Sequence, residues 1–204
     1  MAQNAVDNDF LPEVDVYYKV SQHFGLSFQA KETREDGEPV QTEIGPSVSW
    51  FFRPWPKTYP AILQRDVILS VGYRYLPSPG SPPINRLEPV LTFQLPLRHE
   101  FVIRDRNRAD LDWQQGNFNW RYRNLLGVER PISVGGYHPV PYVAAEFYYD
   151  SEFAKWSTTA LYGGCQFPIG KHVVVNPYYV HKNFTGSSPN QQLNQAGLIL
   201  NLLF

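Results

Sequence analysis

Apolar residues recur at every second position along almost the whole chain. In "NQQLNQAGLILNLLF", Ala196, Leu198, Leu200, Leu202 and Phe204 share one face of an extended strand, and Gln195, Gly197, Ile199, Asn201 and Leu203 share the other. Eleven such segments follow one another, from "FLPEVDVYYKV" and "GLSFQAKETR" to "HVVVNPYYVHKNF", each bounded by Gly, Pro, Asn, Asp or Ser. No helical period intervenes. The pattern predicts an all-β chain: residues 1–9 as an N-terminal tail and residues 10–204 as one antiparallel up-and-down sheet, closed on itself or in two layers.

Which residues share a face sharpens the prediction. In "EFVIRDRNRADLDW", Arg104, Arg106, Arg108, Asp110 and Asp112 alternate onto one side. In the next segment Arg121, Arg123 and Glu129 oppose Phe118, Trp120 and Tyr122, and in "YVAAEFYYDSEF" Tyr142, Glu146, Tyr148 and Asp150 oppose Val143, Ala145, Phe147 and Tyr149. Arg74 likewise opposes Tyr73 and Tyr75. A soluble barrel of the lipocalin type would turn the apolar faces inward. Against that arrangement, the apolar faces carry large rings near strand ends, among them Trp50, Phe52, Phe93, Trp113 and Trp120. The polar faces hold paired Arg and Asp or Glu with few lysines, and the strands are too many for one small filled barrel. The inside-out arrangement is therefore expected, with Arg74, Arg104, Arg106, Arg108, Asp110, Asp112, Arg121, Arg123, Glu129, Glu146, Tyr148 and Asp150 lining a lumen.

Connection lengths suggest the same architecture. "SQHF", "LRHE" and "IGKH" read as tight turns on one rim, whereas "REDGEPVQ", "LPSPGSPPIN" and "FTGSSPNQQ" read as longer loops on the other. Bacterial single-chain barrels normally have even strand numbers, so about 12 strands are expected, with 10 the next choice. The phase of "EFVIRDRNRADLDW" also puts Asp105 and Asn107 outside, which a β-bulge would repair.

Composition narrows the function classes. The chain has 204 residues, 15% of them aromatic, and 18 Lys plus Arg against 19 Asp plus Glu, a net charge of −1. That balance excludes the basic face of a nucleic-acid binder. No run approaches the roughly 20 apolar residues of a spanning helix. "MAQNAVDNDF" lacks the basic start and apolar stretch of a signal peptide, although Ala2 and Gln3 suit the first positions after a small-residue cleavage site. Cys165, the single cysteine, cannot form an internal disulfide, and its phase matches outward Leu161, Phe167 and Ile169.

The terminal "GLILNLLF" resembles the C-terminal signal of bacterial outer-membrane barrels, in which a final Phe follows alternating apolar residues. "RDRNRADLDW", "FNWRYRNLLGVERPI" and "YYDSEFAKWSTTALYGGCQFPIGKH" are in turn similar to an uncharacterised, domain-of-unknown-function family of outer-membrane barrels. The resemblance implies a transmembrane β-barrel in the bacterial outer membrane, in contact with the lipid bilayer and lipopolysaccharide. It also implies that Leu198, Leu200, Leu202 and Phe204 are read by the barrel assembly machinery. It brings no activity and no catalytic residues.

Candidate chemistry is sparse. The five histidines show no zinc-ligand spacing, and neither a metal nor a cofactor is expected. Ser157, Thr158 and Thr159 open a strand without a nucleophile elbow or an evident His partner. His181 shares the outward phase of Val175 and Tyr179 and alone keeps a lipid-acting membrane enzyme in view. Asp110 and Asp112 read as rungs of an ionic ladder rather than an acid and base pair. The acids of "REDGE" and "YYDSE" read as solvated loops, weak calcium sites at most. The expected function is a narrow porin-like passive channel with a charged lumen, or a largely closed structural barrel. The alternatives are a lipid-acting enzyme and a soluble ligand-binding barrel.

Overall fold

A computed structural model describes residues 6–52, 67–186 and 190–204. Eleven strands run in chain order: β1 Val6–Lys19, β2 Phe24–Glu35, β3 Glu38–Phe52, β4 Val67–Ser78, β5 Ser81–Pro96, β6 Val102–Gln114, β7 Asn117–Glu129, β8 Val140–Asp150, β9 Lys155–Ile169, β10 Val173–Phe184 and β11 Gln191–Leu203. Each pairs antiparallel with the next, and the sheet closes into a barrel through β1 and β11. β1 takes in residues 6–9 of the expected tail, and Asp9 accepts a hydrogen bond from Gln195 of β11.

Among the described residues the barrel has 11 strands, close to the about 12 expected. With an odd number of alternating strands, the first and last must run the same way, so the closing pair is parallel. Its register is unbroken from Val6↔Gln192 to Tyr17↔Leu203. The end of the chain is fastened into this seam. The Phe204 amide donates to the Tyr17 carbonyl at 2.8 Å, the Lys19 amide donates to the Phe204 carbonyl at 2.9 Å, and the His172 ring stacks on that of Phe204.

The two rims also differ from expectation. Asp36 and Gly37, and Gln115 and Gly116, all take positive φ, which fits the two-residue hairpin turns whose twist matches that of the flanking strands. Strands therefore run to the tips where "REDGEPVQ" and "LPSPGSPPIN" read as loops, because proline is tolerated at strand ends. Besides the short turns of "SQHF", "LRHE" and "IGKH", the opposite rim, which carries Phe204, holds longer links. They include residues 130–139, where Val134 and Tyr137 form a small bridge, and the connection from Phe52 to Val67, whose residues 53–66 lie outside the described residues.

Side chains alternate as the pleat requires. Phe10, Val14, Leu26, Phe28, Trp50, Tyr73, Phe93, Trp113, Trp120, Phe147, Leu161, Tyr179 and Leu198 are exposed on the outer wall. The buried residues are inside and largely charged or polar: Asp9, Glu13, Arg74, Arg86, Glu88, Asp110, Glu146, Asp150 and Gln195. Apolar packing inside is confined to a few residues, such as Leu11, Leu76, Ala160 and Val180.

The seam register is directly testable. In a Cys165→Ala background, cysteines at Val14 and Leu200, which are partners across the seam, should form a disulfide on mild oxidation, whereas cysteines at Val14 and Val175 should not. Mobility on a non-reducing gel reads the difference.

Candidate functional site: a charged lumen closed at one end

Alternation along β4 to β8 places Arg74, Arg104, Arg106, Arg108, Asp110, Asp112, Arg121, Arg123, Glu129, Glu146, Tyr148 and Asp150 on the inner face of the barrel. An arginine taken out of water needs a carboxylate, and further acceptors for its remaining N–H groups. The inner wall supplies both. Arg123 donates through Nε and Nη2 to the two carboxylate oxygens of Glu146 at 3.1 and 2.9 Å. Arg106 reaches the same carboxylate at 3.1 Å, and the hydroxyls of Tyr148 and Tyr162 donate to it at 2.8 and 2.7 Å. Glu146 is 0% exposed, so its carboxylate depends on these contacts in place of water.

A second knot lies beside the first. Arg108 bonds Asp110 and reaches Glu88 at 2.8 Å, and Arg86 grips Asp112 with two hydrogen bonds of 2.6 and 2.8 Å. Asp110, also 0% exposed, lies 3.7 Å from Arg123 and 3.9 Å from Arg86, which ties the knots together. Arg86 and Arg74 extend the network to Glu43 of β3, and Arg74 donates to Gln29 of β2, which in turn donates to Glu13 of β1. The chain of contacts therefore runs from β8 through the wall to the seam strand.

Two pairs stand apart from the knots. Arg121 donates to Asp150 at 2.7 Å towards the far rim, and Arg104 donates to Glu129 at 2.8 Å towards the Phe204 rim.

The network fills the middle of the barrel and its far half. Towards the Phe204 rim the lumen widens into a cavity of 490 Å³, with Arg108, Arg123, Glu43 and Lys31 at its floor and Arg104, Arg106, Gln94, Tyr142, Asn176 and Tyr178 among its walls. Two glycines keep the tyrosine side clear. A Cβ on Gly197 would sit 2.1 Å from the ring of Tyr178, its partner across the strands, and one on Gly164 would sit 2.5 Å from the hydroxyl of Tyr142. Each ring therefore lies along the wall over a glycine instead of projecting into the cavity.

Sequence reasoning missed Glu13, Gln29, Glu43, Arg86, Glu88 and Tyr162. Arg86 and Glu88 carry the same two-residue signal as the denser runs and were legible in "NRLEP". Glu43 sits alone among small or apolar neighbours, whereas Glu13 shares its face with Asp9 and Asp15 and meets Lys31 and Gln29 on β2.

The outer wall has its own polar groups. Asp105 and Asn107 face outward with no bulge between β6 and either neighbour, contrary to the expected repair. They satisfy each other instead: Asn124 donates to Asp105 at 2.7 Å, Asn107 donates to it at 3.2 Å, and the Tyr122 hydroxyl donates to Asn107. His181 also faces outward, its Nδ1 2.8 Å from Asn194 Oδ1 and its strand partner on β9 Leu161. Among the described residues, no serine or threonine is a hydrogen-bond partner of it. Ser157 is buried at the start of β9 and its carbonyl accepts from Thr185. Among the described residues, no group of three or more His, Cys, Asp or Glu is arranged to hold a metal ion.

A family model, described as a protein of unknown function (DUF2490), matches residues 12–193, which takes in β2 to β10, most of β1, the first residues of β11 and the lumen residues from Glu13 to Tyr178. The chain belongs to the DUF2490 family. No curated protein and no solved structure matches it. For this DUF2490 barrel the arrangement of the lumen is thus the main guide to function. The match ends ahead of Ala196, so the alternating Leu198, Leu200, Leu202 and Phe204 lie beyond it.

The two classes of ion pair should respond differently to substitution. Glu146→Gln leaves Arg123 and Arg106 without their buried counter-charge and should lower stability by about 3 to 5 kcal/mol. Arg34→Gln, in an ion pair with Glu32 whose side chains are 40% and 33% exposed, should cost no more than about 1 kcal/mol. Chemical denaturation followed by tryptophan fluorescence measures both.

Proposed function

We propose that this DUF2490 chain is an integral β-barrel of the bacterial outer membrane whose lumen is closed to through-passage. The observation that carries the membrane reading is the inverted distribution of polarity around a closed sheet. The outer wall bears Phe, Leu, Val, Trp and Tyr on every strand, and the interior bears the buried charges. In water such a wall would be an apolar surface far beyond the few hundred Å² that soluble monomers expose. In a bilayer it is the surface required, and closure leaves no strand edge unpaired. No described helix is long and apolar enough to cross a membrane, so any crossing is by strands.

Of the two functions expected from sequence, a narrow channel and a largely closed barrel, the lumen supports the second. A pore needs a continuous aqueous path, and here Asp110, Glu146, Leu76 and Val180 are buried across the middle and far half of the barrel. The arginines that would set the selectivity of a pore are instead bonded across it to Glu146, Asp110 and Asp112. An eight-strand barrel is just wide enough for side chains to fill. With 11 strands the interior is wider, and long ion-paired arginines occupy the added width. Lipid and lipopolysaccharide against the outer wall, and recognition of the Leu198 to Phe204 strand by the barrel assembly machinery, belong to the same proposal.

Three measurements test it. The protein should need detergent or lipid to fold, and should migrate faster on a cold dodecyl sulfate gel than after boiling. A folded, monodisperse preparation in plain buffer would refute the membrane reading. In planar bilayers the native protein should conduct no more than the bare membrane, whereas Asp110→Ala combined with Glu146→Ala should open a measurable conductance. Cys165, on the outer wall beside Phe167, should resist a charged maleimide in lipid-embedded protein and react with an apolar one.

A further inference from the structure

The cavity at the Phe204 rim has more hydrogen-bonding capacity than the protein itself uses. A guanidinium carries five N–H donors. Arg74 spends its donors on Gln29, Gly45, Pro46, Tyr73 and Ser47, and Arg123 spends its own on Glu146 and Tyr148. Arg104 and Arg106 differ: each donates a single hydrogen bond, through Nη2, to Glu129 and Glu146 respectively. Their side chains are 34% and 35% exposed, and both line the cavity. Placed two residues apart on β6, they present two guanidinium groups with unused donors to one volume.

The rest of the lining specifies what those donors would meet. Gln94 and Thr92 on β5 are the strand partners of Arg104 and Arg106, so no carboxylate on that side competes for them. Ser49, Ser70, Gln166 and Asn176 add neutral groups that both donate and accept, which suits a ligand bearing several hydroxyls. Across the cavity Tyr142 and Tyr178 lie flat over Gly164 and Gly197 and offer ring faces topped by hydroxyls. A volume of 490 Å³ falls within the range of small-molecule sites and suits one or two sugar rings rather than a long polymer.

We propose that this cup binds a small acidic sugar, its anionic group held by Arg104 and Arg106 and its hydroxyls by the neutral polar wall. The shared chemistry is a carboxylate or phosphate on a polyhydroxy ring, since either anion accepts bidentate hydrogen bonds from arginine. The site rests on the geometry of the barrel and not on the bilayer, so failure of the membrane reading would leave it standing.

The test is calorimetric titration of the folded full-length protein with glucuronate, glucose 6-phosphate, glucose, acetate and inorganic phosphate. The expected result is binding of glucuronate, of glucose 6-phosphate or of both, with glucose and the bare anions at least about tenfold weaker, the loss that follows from removing one charge-assisted contact. The two acidic sugars tell the carboxylate source from the phosphate source. Arg104→Gln with Arg106→Gln should abolish binding. Because that variant also unpairs Glu129, a second variant, Gln94→Glu, supplies Arg104 with a carboxylate and should weaken binding by a similar factor while keeping the ion pairs. Fold is checked for each by circular dichroism. The proposal is overturned if neither acidic sugar binds, if glucose or the bare anions bind as tightly, or if Gln94→Glu binds like the native protein.

Discussion

Charge neutralisation inside a closed wall is the constraint on which the rest of this structure depends. Eleven strands make a ring wider than apolar side chains of ordinary size would fill, and the inner face carries arginines on β4 to β7. A guanidinium shut away from water costs several kcal/mol unless a carboxylate and further acceptors meet it. That requirement decides where Glu146, Asp110, Asp112, Glu88 and Glu43 must lie, and it couples strands that are not neighbours in the sheet. Arg86 and Glu43, or Arg106 and Glu146, join positions that only curvature brings together. The ionic network thus does for this barrel what an apolar core does for a sandwich: it makes one cross-section, and one register, better than the rest.

The same constraint divides the lumen into two parts of different character. Where acids and arginines match, the interior is sealed and buried. Towards the Phe204 rim the match thins, Arg104 and Arg106 keep donors to spare, and the wall turns to Ser, Thr, Gln, Asn and Tyr. Glycine opposite tyrosine then prevents the rings from closing the gap. A cup and a plug therefore arise from one alternating pattern, according to whether each arginine has its counter-charge within reach.

Much of this was legible in the sequence, for a reason that also sets the limit. Period-two alternation is a local property, so the eleven segments, the inward phase of Arg104 to Asp112 and of Arg121 to Glu129, and the outward phase of Leu198 to Phe204 can be read without knowing the fold. The expected strand number ran one high because the even-number habit of bacterial barrels was set above the count of segments, and a parallel seam has no local signature. The loops were misjudged because Gly and Pro mark a turn but not its length: "REDGEPVQ" holds a two-residue turn between paired strand ends. Glu43 escaped notice because a lone acid gains meaning only from partners far away in the chain. The outward Asp105 is a different case. It obeys the alternation and is tolerated because Asn107 and Asn124 saturate it, a compensation carried by a neighbouring strand.

The parallel seam has a consequence for how the barrel comes into being. Asp9 and Gln195 are hydrogen-bonded partners 186 residues apart, whereas every other strand pair is local in the chain. Closing a loop of that span costs on the order of 3 kcal/mol more in chain entropy than closing a hairpin. The ten antiparallel pairings can therefore form first, as a curved open sheet, and the seam is the slow, non-local step. Until it forms, β1 and β11 are two bare edges, each a template for a foreign strand. Phe204, whose amide and carbonyl both bond to β1, is the final tooth of that zip. A chain shortened by even that one residue would be left with a frayed seam and a longer interval in which another molecule could enter it.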